Sequence, residues 1–93
     1  MKVRWTPRAL AQLEAIHAYI AVDNRAAAAK VIAGIRNTVA MLADFPAAGE
    51  QTDRRDVRTI LAWPYAYRVY YRVVPPREVR VLRVRDVRRR PRR

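Results

Sequence analysis

The hydrophobic period changes once along this chain, and that change constrains the fold more than any other feature. Leu10, Leu13, Ile16 and Ile20 recur at helical spacing, and Val31, Ile35, Val39, Leu42 and Phe45 repeat the pattern at intervals of three and four until Pro46 forbids extension. From Val57 the period is two: Val57-Arg58-Thr59-Ile60-Leu61, then Tyr65 to Val73, then Val79 to Val84. A chain written this way must pack helices against strands that follow them.

The ends of the segments are also marked. Val3 and Trp5 alternate with Lys2 and Arg4, as in a short half-buried strand. Thr6 is placed to cap a helix with Pro7 at its first position, where a missing N–H costs nothing. Asp23 and Asn24 interrupt the first apolar stripe and can cap a second helix through Ala26 to Ala29, so the pair reads as an αα-hairpin with a very short turn. Residues 46–56, with Pro46, Gly49 and mixed charges, read as a surface loop. The Val/Tyr-rich runs Trp63–Val74 and Glu78–Asp86 are joined by Pro75-Pro76-Arg77. In the first run Tyr65, Tyr67, Val69, Tyr71 and Val73 share one face and Arg68, Tyr70 and Arg72 the other. The second breaks alternation at Val81-Leu82, which requires either a bulge or apolar contacts on both faces.

These segments predict an α+β fold. An N-terminal short strand leads into an αα-hairpin and then a three-stranded, mostly antiparallel sheet, in the order β-α-α-β-β-β. With 93 residues the chain is expected to form a single domain, 1–93, with the helical hairpin over about 6–45, the sheet over about 57–86 and a basic tail over 87–93. The face opposite the hairpin is expected to carry Arg68, Arg72 and also Arg58.

Charge narrows the function. The formal net charge is +12, and seven of the twenty Lys and Arg residues lie between Arg83 and Arg93. Such a field attracts nucleic acid, anionic lipid or an acidic protein. The N-terminus holds neither a signal-peptide core nor an apolar span, so the reading is a cytoplasmic protein without a membrane partner.

Several chemistries are disfavoured by the residues present. There is no cysteine, and the one histidine, His17, lies on the flank of the first apolar stripe with no second imidazole, so it reads as structural and no metal is expected. Serine is absent, and Gly34 and Gly49 are the only glycines, which excludes a serine nucleophile and a glycine-rich phosphate loop. No cofactor is implied. Ribonuclease chemistry needs a proton acceptor and donor as well as a basic surface; Asp86 and the tyrosines are the candidates, with Asp86 favoured as an ion-pair partner of its neighbouring arginines. Binding of nucleic acid without catalysis needs only the basic face and an aromatic ring for stacking, and Tyr70 between Arg68 and Arg72 has that form; the alternative is a ring covering an apolar edge beneath the arginine stems.

Trp5-Thr6-Pro7, Ile16-x-x-Tyr19-Ile20, Leu42-Ala43-Asp44-Phe45-Pro46-x-x-Gly49, Pro64-Tyr65-x-Tyr67-x-Val69-x-Tyr71 and Val81-Leu82-Arg83-Val84, in this order, resemble the ParE branch of the RelE/ParE toxins. The resemblance covers nearly the whole chain. It implies a toxin of a type II toxin–antitoxin module, neutralised by a cognate ParD-like antitoxin with an acidic amphipathic C-terminal segment. For the ParE branch it implies inhibition of DNA gyrase by direct binding, without enzymatic activity, through a target-binding set of Arg58, Arg68, Arg72, Arg83, Arg85, Asp86, Arg88, Arg89 and Arg90. For the RelE branch it implies instead a ribosome-dependent endoribonuclease acting on messenger RNA, with Arg68, Asp86, Arg88 and Arg89 as the catalytic candidates. The chain departs from the ParE pattern at Glu50, where arginine is frequent, and at Asp86, where histidine is frequent.

Overall fold

The computed structural model describes residues 1–88. Its elements are β1 (Lys2–Trp5), α1 (Pro7–Ala21), α2 (Arg25–Leu42), β2 (Glu50–Gln51), β3 (Val57–Leu61), β4 (Tyr67–Val74) and β5 (Glu78–Asp86). The class is α+β as the sequence implies, but the sheet has five strands in the order β1-β5-β4-β3-β2. Two strands account for the difference from three. β1 joins the sheet parallel to β5, Lys2 facing Glu78 and Trp5 facing Val81. β2 is a two-residue antiparallel partner of β3 inside the stretch expected to be loop.

Both helices begin at the expected caps. Thr6 Oγ1 accepts from Ala9 N at 3.1 Å, and Asn24 Oδ1 accepts from Ala27 N at 2.9 Å. One layer of side chains fills the space between hairpin and sheet: Ala9 and Leu13 of α1, Val31, Ile35 and Val39 of α2, and Tyr67, Val69, Val81 and Val84 of the strands. Leu42, Tyr71 and Val79 extend it at the far end. Both apolar stripes overreach at their ends, since Leu10 and Phe45 are exposed; Phe45 lies beyond the last turn of α2, which stops at Leu42. His17 is exposed on α1 rather than held in the core.

The hydrogen bonding of β5 explains how α1 is seated. β1 ends at Trp5, so the outer edge of β5 beyond Val81 has no strand partner among the described residues. Thr6 covers its start, with N donating to Val81 O at 3.1 Å and Oγ1 donating to Leu82 O at 3.3 Å. Gln12 Oε1 accepts from Val84 N at 2.7 Å, so a helix side chain completes the strand's accounting. The irregularity at Val81-Leu82 is a bulge, for Tyr70 faces Arg83 while Tyr71 faces Val81. β4 starts later than its alternation suggests. Trp63 and Tyr65 lie in the turn before it, closed by Ala62 N to Tyr67 O and Tyr65 N to Ala62 O, and Trp63 is 78% exposed.

Candidate functional site

Cross-strand register assigns each predicted residue to a face, because residues paired directly across two strands point the same way. Arg68 faces Arg85 and Tyr70 faces Arg83, all on the side away from the helices. Arg72 faces Val57 on β3 and Arg80 on β5 and completes this open surface. Arg58 does not join it. It faces Tyr71, whose ring is in the core, and its Nη1 donates to Gly49 O at 2.7 Å. The expectation that placed Arg58 beside Arg68 and Arg72 fails because the two strands pair with Arg58 opposite an inward residue.

Asp86 and Arg88 are likewise separated from the open surface. Asp86 faces Tyr67, a core residue, so it lies on the helix side of the sheet's end. Its carboxylate accepts from Arg88 N at 2.9 Å and from Arg88 Nε and Nη2 at 3.1 Å each. That pairing raises the Arg88 guanidinium further above its ordinary range, and the group also sits 5.9 Å from the Tyr67 ring centre. Val87 N donates to Ala66 O at 2.9 Å, which fixes where the chain leaves the sheet. Arg89 and Arg90 lie outside the described residues.

The open surface is recessed into a cleft of about 720 Å³. Arg68, Tyr70 and Arg72 of β4 and Leu82, Arg83 and Arg85 of β5 form its floor, Val57 and Thr59 of β3 continue it, and the rim comes from Thr6, Arg8 and residues 50–54. Arg83 stacks on Tyr70, 5.2 Å from the ring centre. Among the described residues no ion pair joins Arg68, Arg72, Arg83 or Arg85 to a carboxylate; the pairs present are Arg4 and Arg80 with Glu78, and Arg88 with Asp86. Six arginines and two carboxylates, Glu50 and Asp53, line the cleft.

The β2 rim is held from beneath by a buried phenol. Tyr71 Oη accepts from Gly49 N at 2.9 Å and donates to Pro46 O at 2.8 Å. Burial pushes the Tyr71 hydroxyl above its ordinary range, against the smaller opposing effects of the Gly49 N–H and the Arg58 charge. Thr52 closes the loop's far side, N and Oγ1 both donating to Val57 O.

The profile of the ParE toxin of type II toxin–antitoxin systems, parDE, matches residues 3–91. The chain belongs to the ParE toxin family. It is 39% identical over 83 residues to Y4kP, a candidate toxin of Sinorhizobium fredii, a match spanning 89% of this chain and 84% of that protein. A solved chain of the chromosomal ParDE toxin–antitoxin system from P. aeruginosa superposes with a TM-score of 0.80 at 28% identity, covering 94% of this chain and 96% of that one. Among the described residues of this ParE-family chain no helix is long and apolar enough to cross a membrane.

Arg8, Arg54 and Thr59 are among the cleft residues that escape the sequence reading. Arg8 follows a helix cap and Arg54 sits in a polar loop, so neither carries a periodic signal that would link it to Arg68. Thr59 does carry one. It alternates with Arg58, and the register of β3 against β4 brings Thr59, not Arg58, to the open face.

Proposed function

We propose that this ParE-family toxin inhibits DNA gyrase by direct binding through the open arginine face and the basic C-terminal end, and that a cognate ParD-like antitoxin neutralises it. The observation that carries this reading is the row of sheet arginines around Tyr70 that have no carboxylate partner among the described residues. A folded protein of +12 charge that holds Arg68 opposite Arg85 keeps a repulsion that an acidic partner would relieve. An acidic amphipathic segment that orders on binding suits both this surface and the helical hairpin, and the ParDE assembly of the P. aeruginosa relative supports such a partner.

The ribonuclease alternative draws less support. Its candidates divide between the two faces, Arg68 on the open side and Asp86 and Arg88 on the other, and the Asp86 carboxylate already accepts three hydrogen bonds from Arg88. A general base must reach the proton that it removes in the same site as the groups stabilising the transition state. The deciding experiment is supercoiling of relaxed plasmid by purified gyrase with increasing toxin, resolving cleaved from intact DNA. Loss of supercoiling with accumulation of cleaved DNA is expected. Full supercoiling at excess toxin, with cleavage of messenger RNA on ribosomes, would transfer the assignment to the ribonuclease.

A further inference from the structure

We propose that the open-face cleft binds a single strand of nucleic acid, with phosphates on the Arg68, Arg85 and Arg72 guanidinium groups and a base stacked on the Arg83–Tyr70 pair. The inference deepens the gyrase reading, on which it rests for its biological setting, by adding a DNA strand to the gyrase surface as a direct ligand of the open face.

Three observations lead there. The first is spacing: Arg68 and Arg72 stand four residues apart on one strand, so their Cα atoms are about 13 Å apart with Tyr70 midway between them. Cationic positions on either side of an aromatic platform suit a chain whose charges and flat rings alternate, and a polypeptide of acidic residues offers the charges without the rings. Arginine adds bidentate geometry for phosphate oxygens and a planar surface for stacking.

The second is the state of the polar groups. Thr59 faces Tyr70 across β3 and β4, and its Oγ1 is buried without a hydrogen-bond partner among the described residues. That hydroxyl has almost no accessible surface, so it would donate to a bound strand only when the side chains over it shift as the cleft fills. The third is enclosure. The volume of about 720 Å³ falls in the range of ligand pockets and is bounded by the β2 rim and the start of α1, whereas stacking on Tyr70 requires an unpaired base. Glu50 and Asp53 on the rim oppose an anion there and bias its path toward the floor of β4 and β5.

The experiment measures anisotropy of labelled thymidine and uridine strands of about twelve nucleotides, a length within single-strand site sizes, with the full chain and no gyrase. Binding that falls steeply with salt is expected, together with a loss of about tenfold in Tyr70→Ala, a smaller loss in Tyr70→Phe, and about tenfold in Arg68→Ala/Arg85→Ala. The charge-matched Arg25→Ala/Arg77→Ala, away from the cleft, is expected to change affinity by less than about threefold. Tyr70→Leu, with circular dichroism to confirm folding, covers the case in which the alanine variant unfolds. Tighter binding of the thymidine than of the uridine strand is expected, and the reverse order would overturn DNA as the ligand. Equal losses in both double variants with no effect at Tyr70, or polyglutamate binding as tightly as the strands, would overturn the proposal. Gyrase inhibition by a chain that binds no strand would refute this inference alone, and strand binding without gyrase inhibition would refute only the gyrase reading.

Discussion

At the scale of single residues, Tyr71 and Gly49 determine whether the cleft keeps its rim. Tyr71→Phe leaves the Gly49 N–H and the Pro46 carbonyl without the hydroxyl that serves both, and one unsatisfied buried group costs about 1–3 kcal/mol. We expect a loss of that size in chemical denaturation. Tyr71 also sets a pH limit. Its hydroxyl is held above the unfolded value of 10.0, so between the two values the unfolded chain releases a proton that the folded chain keeps. The contribution is complete below about pH 10 and is lost as pH rises through the folded value. The thermal midpoint of the native chain should therefore fall more steeply above pH 10 than that of Tyr71→Phe, a difference readable by calorimetry. The two glycines separate by what they face. A Cβ at Gly49 would stand 2.6 Å from Tyr71 Oη and 2.8 Å from Thr59 O, whereas one at Gly34 would meet only the Tyr65 ring, at 2.5 Å from Cε2. Backbone cannot yield as a half-buried ring in a turn can, so Gly49→Ala should cost about 1–3 kcal/mol and Gly34→Ala less. Equal losses in the two would show that Tyr65 is as immobile as the strand.

At the scale of elements, Thr6 joins what the sequence reveals to what it conceals. As a helix cap before Pro7 it is legible from four residues, and Asn24 likewise, because capping is local chemistry. Its second role is not legible: the same hydroxyl donates to Leu82 O, 76 positions away, because β1 runs parallel to β5 and ends there. Thr6→Ala should cost about 1–2 kcal/mol, at the upper end for a cap, while Asn24→Ala, which breaks only a solvent-exposed cap, should stay near the lower end of about 0.5 kcal/mol. Thermal unfolding of both variants checks the order. The same division explains which parts of the sheet were readable. β3 and β5 show period two over most of their length, and Leu82 announces its bulge by breaking it. β2 contributes two exposed residues, too few for a period, and depends on Tyr71 and Arg58 reaching Gly49 just before it and on Thr52 just after it bonding Val57 O. The open-face residues Arg68, Tyr70 and Arg72 were legible because they share one strand. Arg58 was misplaced because alternation fixes faces within a strand but not the relation between strands, and Arg8 and Arg54 reach the cleft only through the fold.

At the scale of the whole molecule, the arginine face and the stability of the fold work against each other. The +12 charge repels itself in the compact state, so the midpoint of unfolding should rise as salt shortens the screening length from about 30 Å at 0.01 M to about 10 Å at 0.1 M. Local contributions point the same way. Arg68 lies directly opposite Arg85 with no ion pair to a carboxylate of the described residues, an arrangement that destabilises a strand pair by about 0.2–1 kcal/mol. Arg72 also lies opposite an arginine, but there Glu78 neutralises Arg80, with Arg80 Nε 2.8 Å from Oε2. Arg68→Ala should therefore stabilise the protein, or leave its stability unchanged where packing of the arginine stem offsets the relief, while reducing gyrase inhibition at least tenfold. Arg80→Ala should do the opposite, leaving Glu78 with its distant partner Arg4 at 3.8 Å and changing inhibition little. Thermal unfolding and supercoiling assays on the two variants place these outcomes on separate axes. If Arg68→Ala lost stability and inhibition together, its effect on function would follow from the fold, and the open face would lose its standing as the contact surface.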